Sequence, residues 1–321
     1  MKTFGRLLLC VLVISQLNLS IAKVFSDEPN AADTPKASSL ERLGEEATSV
    51  LYQAYEYDNT IPLEPRVVEK IEKDGTTREK IVIRGVQGFF VPGYLEYPAA
   101  GQSPYPCVLL LHGWSGSKEH WWRDGGYISG GNVRQALLKA GYAVMAIDAQ
   151  IHGDRISHND FAPVNHFADP ALGKNPRKGY FTQRDIYIQT TRDYRRVIDY
   201  LETRPEIIAS RIGLIGYSMG GTNTFQLTGV DRRIRVAVAC CPPADRVKSS
   251  PIAPQNFTRD LGDRPFMMIM GESDELCPIE LARKLYEMIE SSKKEFISID
   301  AGHKLPPDYV PHAVGWIQRH L

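Results

Sequence analysis

The chain has 321 residues, 38 basic against 38 acidic side chains, 43% hydrophobic and 24% charged residues, enough apolar surface for a sizeable core. That composition excludes a disordered, collagen-like or coiled-coil protein. Balanced charge without a long Lys/Arg run leaves no broad basic footprint for nucleic acid or an anionic membrane, so a small neutral or mixed-charge partner is expected.

Lys2 and Arg6 precede an apolar run from Leu7 to Ile14, and Ser20 and Ala22 are small residues three and one before a cut, so residues 1–22 read as a secretory signal peptide. The run is too short to span a bilayer. Cleavage after Ala22 leaves 299 residues with a net charge of −2, expected to be exported to the periplasm or the outside of the cell with no stable membrane span. The competing reading is an uncleaved N-terminal anchor. Residues 23–60 read as a lead-in: Ser26 to Ser39 is rich in Pro, Asp, Ala and Ser without periodicity, and Leu40 to Tyr57 has the pattern of a helix. Cys107, Cys240, Cys241 and Cys277 remain, and both disulfide pairing and buried free thiols stay open. No C-x-x-C pair with a second ligand pair exists, which disfavours a structural zinc site.

A single domain is expected over 61–321. Pro65 to Tyr97 holds β-branched stretches around the turn Lys73-Asp74-Gly75, read as antiparallel strands at one edge of a sheet. Short unbroken apolar runs follow at 107–111, 142–147, 212–215, 236–239, 266–270 and 296–299. Such runs suit strands buried on both faces of a parallel sheet. Helical patterns alternate with them: one capped at Asn132 and stopped by Gly141, one opening on Thr182-Gln183-Arg184-Asp185, then Pro278 to Ile289 and Tyr309 to His320. The fold class is therefore α/β, a mostly parallel central sheet with helices on both faces. Residues 148–182 interrupt the alternation with His152, His158 and His166, and read as an insertion or lid. These histidines with Asp154 and Asp160 match no metal-ligand spacing.

The strongest chemical signal is Gly216-Tyr217-Ser218-Met219-Gly220-Gly221, between a strand and a helix. A serine on so sharp a turn needs glycine two residues to either side, and the turn lifts its hydroxyl clear of the sheet while the Met219 N–H faces the reacting oxygen. A serine nucleophile needs a base oriented by a carboxylate. His303, just past the last strand, is the candidate base. Asp274 in Gly271-Glu272-Ser273-Asp274-Glu275 is the preferred acid, with Glu272 and Glu275 as alternatives. Trp121 and Trp122 either wall an acyl or alcohol pocket or pack in the core.

His112-Gly113-Trp114, the Gly-Tyr-Ser-Met-Gly-Gly turn, Gly-Glu-Ser-Asp and Gly302-His303 occur in order at strand ends. Together they resemble the α/β-hydrolase fold, and most closely its dienelactone-hydrolase-like and acetyl-esterase-like branches, over about Ile81 to Leu321. The resemblance implies an oxyanion hole from the backbone N–H groups of Met219 and Trp114, a structural His152, and no metal or organic cofactor. Dienelactone hydrolases proper use a cysteine nucleophile where this chain has Ser218, so lactone hydrolysis is not implied. The function expected is an exported serine hydrolase cleaving carboxylic esters, acetylated sugars or other small esters, through an acyl-enzyme. The alternatives are a serine peptidase of the prolyl-oligopeptidase-like branch and a hydrolase-fold binding protein without turnover.

Overall fold

The computed structural model describes residues 40–99, 101, 103–156 and 181–321. The signal peptide expected over 1–22 and most of the insertion expected over 148–182, with His158, Asp160 and His166, lie outside the described residues. The lead-in expected through residue 60 gives way sooner. From Leu40 the chain packs on the domain, through helix α1 (Glu45–Tyr52) and the turn Gln53–Tyr55, with Leu51 and Tyr55 in the core. The buried Tyr55 hydroxyl donates to Pro251 O at 2.8 Å.

Three strands open the sheet: β1 (Arg66–Lys73), β2 (Thr76–Arg84) and β3 (Phe90–Pro98). Asp74 and Gly75, both left-handed, make the tight turn between the first two. Six more follow: β4 (Tyr105–Leu111), β5 (Ala143–Ile147), β6 (Ile207–Tyr217), β7 (Ile234–Cys240), β8 (Phe266–Gly271) and β9 (Lys294–Ile299). The order across the nine strands is β1-β2-β3-β5-β4-β6-β7-β8-β9. β1 to β3 pair antiparallel, β3 pairs antiparallel with β5, and β5 through β9 are parallel neighbours. Antiparallel strands at the N-terminal edge and a parallel centre are what the apolar runs predicted.

Alternate residues of the central strands feed two cores, which is why the runs show no polar alternation. Leu109, Leu111, Met145 and Ile147 face one side with α3 (Gln183–Leu201), α4 (Met219–Val230) and α5 (Ile279–Glu287). Val108, Leu110, Val144 and Ala146 face the other with α2 (Gly130–Lys139) and α6 (Tyr309–His320). Helix α2 opens at Gly130 and not at Asn132, because the left-handed Ser129 (φ 49°) turns the chain two residues sooner. At α3 the Thr182 hydroxyl and the Asp185 carboxylate cap one another's backbone N–H as the sequence pattern requires. No helix among the described residues is long and apolar enough to cross a membrane. Because β5 lies on one side of β4 and β6 on the other, the strand order reverses at β4, opening a crevice beyond the carboxyl ends of β4 and β6.

Candidate active site

Ser218 stands at that crevice, between β6 and α4, with φ 57° and ψ −117°. Holding a non-glycine residue there costs about 1–3 kcal/mol. The crowding explains the flanking glycines: a Cβ on Gly216 would sit 2.0 Å from Gly220 O, and one on Gly220 would sit 2.2 Å from Leu111 O. The turn is tied down by Ser218 N–H to Cys240 O (2.9 Å) and Gly220 N–H to His112 O (3.1 Å). Between them, the Met219 N–H has no acceptor among the described residues, and it lies at the positive end of α4.

On one flank, His303 Nδ1 lies 2.8 Å from Asp274 Oδ2 and His303 Nε2 lies 2.8 Å from Ser218 Oγ. An ionised carboxylate only accepts, so Nδ1 carries the proton and Nε2 is left to accept from the serine hydroxyl. Backbone bonds place both partners. The β8–β9 ladder continues past its last strand residues through Glu272 N–H to Ile299 O and Ser273 N–H to Ala301 O, both 2.9 Å. Asp274 is buried, and its Oδ1 accepts from Leu276 N–H at 2.8 Å and Cys277 N–H at 3.4 Å. Glu272 and Glu275 are exposed, and Glu272 accepts from the Ser298 hydroxyl at 3.0 Å. The Tyr217 hydroxyl donates to His303 O (2.9 Å) and accepts from Leu305 N–H (2.8 Å), pinning the loop that carries the imidazole.

The other flank is the loop after β4. A Cβ on Gly113 would come within 3.2 Å of Ser218 Cβ, so glycine at 113 lets this loop approach the serine without pushing on it. His112 Nε2 accepts from Ala149 N–H at 3.0 Å and Nδ1–H donates to Gly113 O at 2.8 Å, an arrangement only the neutral ring can make. Burial holds its pKa well below the ordinary histidine value. Lys118 is fully buried, donating to Asp148 Oδ2 (2.7 Å) and Asp154 Oδ2 (2.9 Å), while its backbone N–H donates to Asp148 Oδ1 (2.9 Å). Burial pulls the ammonium pKa down, but the two carboxylates outweigh it and raise it above the usual lysine value. His152 is also buried, with Nε2 2.5 Å from Trp114 O and Nδ1 2.7 Å from Gln150 O. Burial lowers its pKa too, and the neutral ring donates to one of the two carbonyls.

Trp114 stacks on Tyr187 (ring centroids 5.9 Å apart) beside an apolar cluster of Ile151, Ile186, Tyr187, Met219 and Ile252. A cavity of about 360 Å³ lined in part by Tyr187, Thr222 and Ile252 continues from it. Of the two readings open for Trp121 and Trp122, a pocket wall at Ser218 does not hold: the cavity of about 890 Å³ that Trp122 lines with Thr76, Glu96 and Arg134 includes none of Ser218, Asp274 and His303. Trp121 is wholly buried in the core against α2 and α6. Trp122 packs edge-on against Tyr94, and its indole N–H donates to Glu96 at 2.5 Å. The apolar wall is Trp114 and Tyr187; helical spacing alone does not separate Tyr187 from the buried stripe of α3. Lys118 and Tyr217 also escaped the sequence reading, since nothing local distinguishes a buried lysine or a hydroxyl that spans 86 residues to its partner. All four described cysteines are free and buried.

Residues 91–303 match the family model for the dienelactone hydrolase family. The chain is 21% identical over 263 residues to Esterase YjfP of Escherichia coli (strain K12), covering 72% of this chain and 96% of that protein. It is 25% identical over 285 residues to an uncharacterized peptidase, YuxL, of Bacillus subtilis (strain 168), which takes in 76% of this chain but 39% of the other. Among solved structures, Acetyl Xylan Esterase 1 from Thermoanaerobacterium sp. JW/SL YS485 superposes with a TM-score of 0.69 over 88% of this chain and 96% of that one, at 16% identity. That last likeness is one of fold.

Proposed function

From the premise that the chain belongs to the dienelactone hydrolase family and is a hydrolase, we propose that it cleaves small carboxylic esters through an acyl-enzyme on Ser218. The observation that carries this reading is the unbroken relay from Ser218 Oγ through the His303 ring to the buried Asp274, 2.8 Å at each step. Ser218 Oγ attacks the ester carbonyl as its proton passes to His303 Nε2, and Asp274 stabilises the imidazolium. The carbonyl oxygen becomes an oxyanion that accepts from the backbone N–H groups of Met219 and Trp114, each such donor typically supplying about 3 kcal/mol. Collapse expels the alcohol, which takes the proton from Nε2, and a water then repeats the sequence to release the acid. The route uses no metal or organic cofactor.

Acetylated sugars are the substrates we favour, from the likeness in fold to an acetyl xylan esterase and the modest apolar wall of Trp114 and Tyr187. A fluorophosphonate probe should label the native protein and spare Ser218→Ala; labelling that persists in the variant removes the nucleophile assignment. The similarity to YuxL keeps a peptidase reading in view, and turnover of an aminoacyl-proline anilide in preference to p-nitrophenyl acetate would select it. A silent serine with neither substrate turned over would leave a binding protein. Export is part of the proposal: the secreted chain should begin at Lys23 by mass spectrometry, and an intact N-terminus would select the uncleaved anchor.

A further inference from the structure

Cys241 follows β7 in the left-handed conformation (φ 46°), its N–H donating to Ile269 O at 2.9 Å. That turn brings its thiol to the Asp274 carboxylate, with the sulfur and a carboxylate oxygen within 4.8 Å. Cys241 Sγ, an Asp274 oxygen and a His303 ring nitrogen all lie within 4.8 Å of one another. Acyl transfer as described above has no use for the thiol. A sulfur, a carboxylate oxygen and an imidazole nitrogen that converge, the first two buried and the third half-buried, are the donors of zinc or cadmium and not of magnesium or calcium. In a tetrahedral zinc site such atoms are about 3.3–3.8 Å apart. The oxygen–nitrogen pair, now at 2.8 Å, would open slightly and the thiol would close on it, with a fourth position left for water.

We propose that Cys241, Asp274 and His303 form a binding site for a thiophilic divalent cation, zinc, whose occupancy switches the hydrolase off; this rests on the reading of Ser218 as nucleophile and His303 as base. The proton balance gives the inhibition. The Cys241 thiol binds a cation as thiolate and so loses one proton to solvent. The cation takes the ring nitrogen that faces Asp274, so the ring proton moves from Nδ1 to Nε2. There it points at Ser218 Oγ, and no lone pair remains to receive the serine proton. The base is disabled without displacement of any element of the fold.

The test uses the full chain after chelator treatment. Zinc titration should abolish ester turnover in the native protein, and Cys241→Ser should require at least about tenfold more zinc for the same inhibition, the least that losing a ligand should cost. Binding is read separately on the Ser218→Ala background with cadmium, whose bond to thiolate absorbs in the near ultraviolet. One equivalent should give the band in Ser218→Ala and in Ser218→Ala/Cys277→Ser, and none in Ser218→Ala/Cys241→Ser; Cys241→Ala replaces the serine variant where that does not fold. A band that survives loss of Cys241, or zinc inhibition unchanged in the Cys241 variants, overturns the proposal. So does a Cys241-dependent band with turnover undiminished. If Ser218→Ala keeps its activity while the Cys241-dependent band stands, it is the assignment of the nucleophile that fails and not the metal site.

Discussion

The two flanks of Ser218 are held by different physics. On the Asp274–His303 side the sheet does the positioning: the β8–β9 ladder extends two residues beyond its strands, and side chains leave it at fixed intervals. On the His112–Lys118 side a loop is clamped by buried polar groups from the loop after β5, with Lys118 on Asp148 and Asp154, His112 on Ala149 and His152 on Trp114. A ladder survives the loss of one side chain, whereas a buried polar clamp leaves its partner unpaired. The first flank should therefore show its mutations in rate, and the second in rate and stability together.

The largest effect tests the first half of that comparison. Asp274→Asn removes the charge that fixes the proton on His303 Nδ1, and kcat for a short ester should fall about ten-thousandfold. The urea midpoint should move little, since the amide oxygen can still accept from Leu276 N–H. Near-native turnover would shift the acid to Glu272 or Glu275. Next in size is Lys118→Met, which leaves Asp148 buried with no cation. Unfolding free energy should drop by about 3–5 kcal/mol, and pairing it with Asp148→Asn, whose amide oxygen still accepts from Lys118 N–H, should recover much of that. A stable single variant with normal turnover would show that the clamp is incidental.

The same contrast governs what the sequence discloses. Ser218, Asp274 and His303 were legible because each follows a strand whose apolar run is visible, and a sheet converts chain order into spatial order. Helix α6 was legible to the residue, and the elbow from its glycines set between a visible strand and a helix. The clamp was not legible. Lys118 reads as a solvated loop lysine, and only the burial of its ammonium between Asp148 and Asp154 distinguishes it. Trp121 and Trp122 stayed open between pocket wall and core for a related reason: a loop past a strand end can fold back under the sheet, and composition does not say which way it turns. The helical pattern of Leu40 to Tyr57 was legible, but not that it docks: Tyr55 buries its ring against Phe257, a partner about 200 residues away that no local pattern names.

A smaller effect distinguishes the clamp by pH. His112 is neutral in the fold because its Nε2 accepts from Ala149 and burial depresses its pKa. As pH falls through the unfolded value near 6.5, the unfolded chain takes up a proton that the folded chain refuses, so the contribution of this group is complete above that value and declines below it. The loss is about 1.4 kcal/mol per pH unit until the folded pKa is reached. His112→Gln should cost about 1–3 kcal/mol at pH 7 and flatten the fall of unfolding free energy between pH 6 and 5 by about that slope. An unchanged slope would mean that the ring already titrates normally.

The smallest expected effect concerns Trp122, which belongs to neither flank. Its indole N–H is one of several donors to the buried Glu96 carboxylate, beside Arg134 at 2.9 Å and the Thr76 hydroxyl at 2.7 Å. Trp122→Phe keeps most of the ring's packing against Tyr94 and removes only that donor. With two donors remaining, the cost should be about 1 kcal/mol, below the usual range for a bond to a charged group. Since the side chain serves β3 and α2 and not the crevice at Ser218, KM and kcat for every ester in a panel of increasing acyl length should stay within a factor of about two, whereas Tyr187→Ala should raise KM, more so for the longer acyl chains. A tenfold rise in KM for Trp122→Phe would return this tryptophan to the substrate pocket and move the apolar wall away from Trp114 and Tyr187.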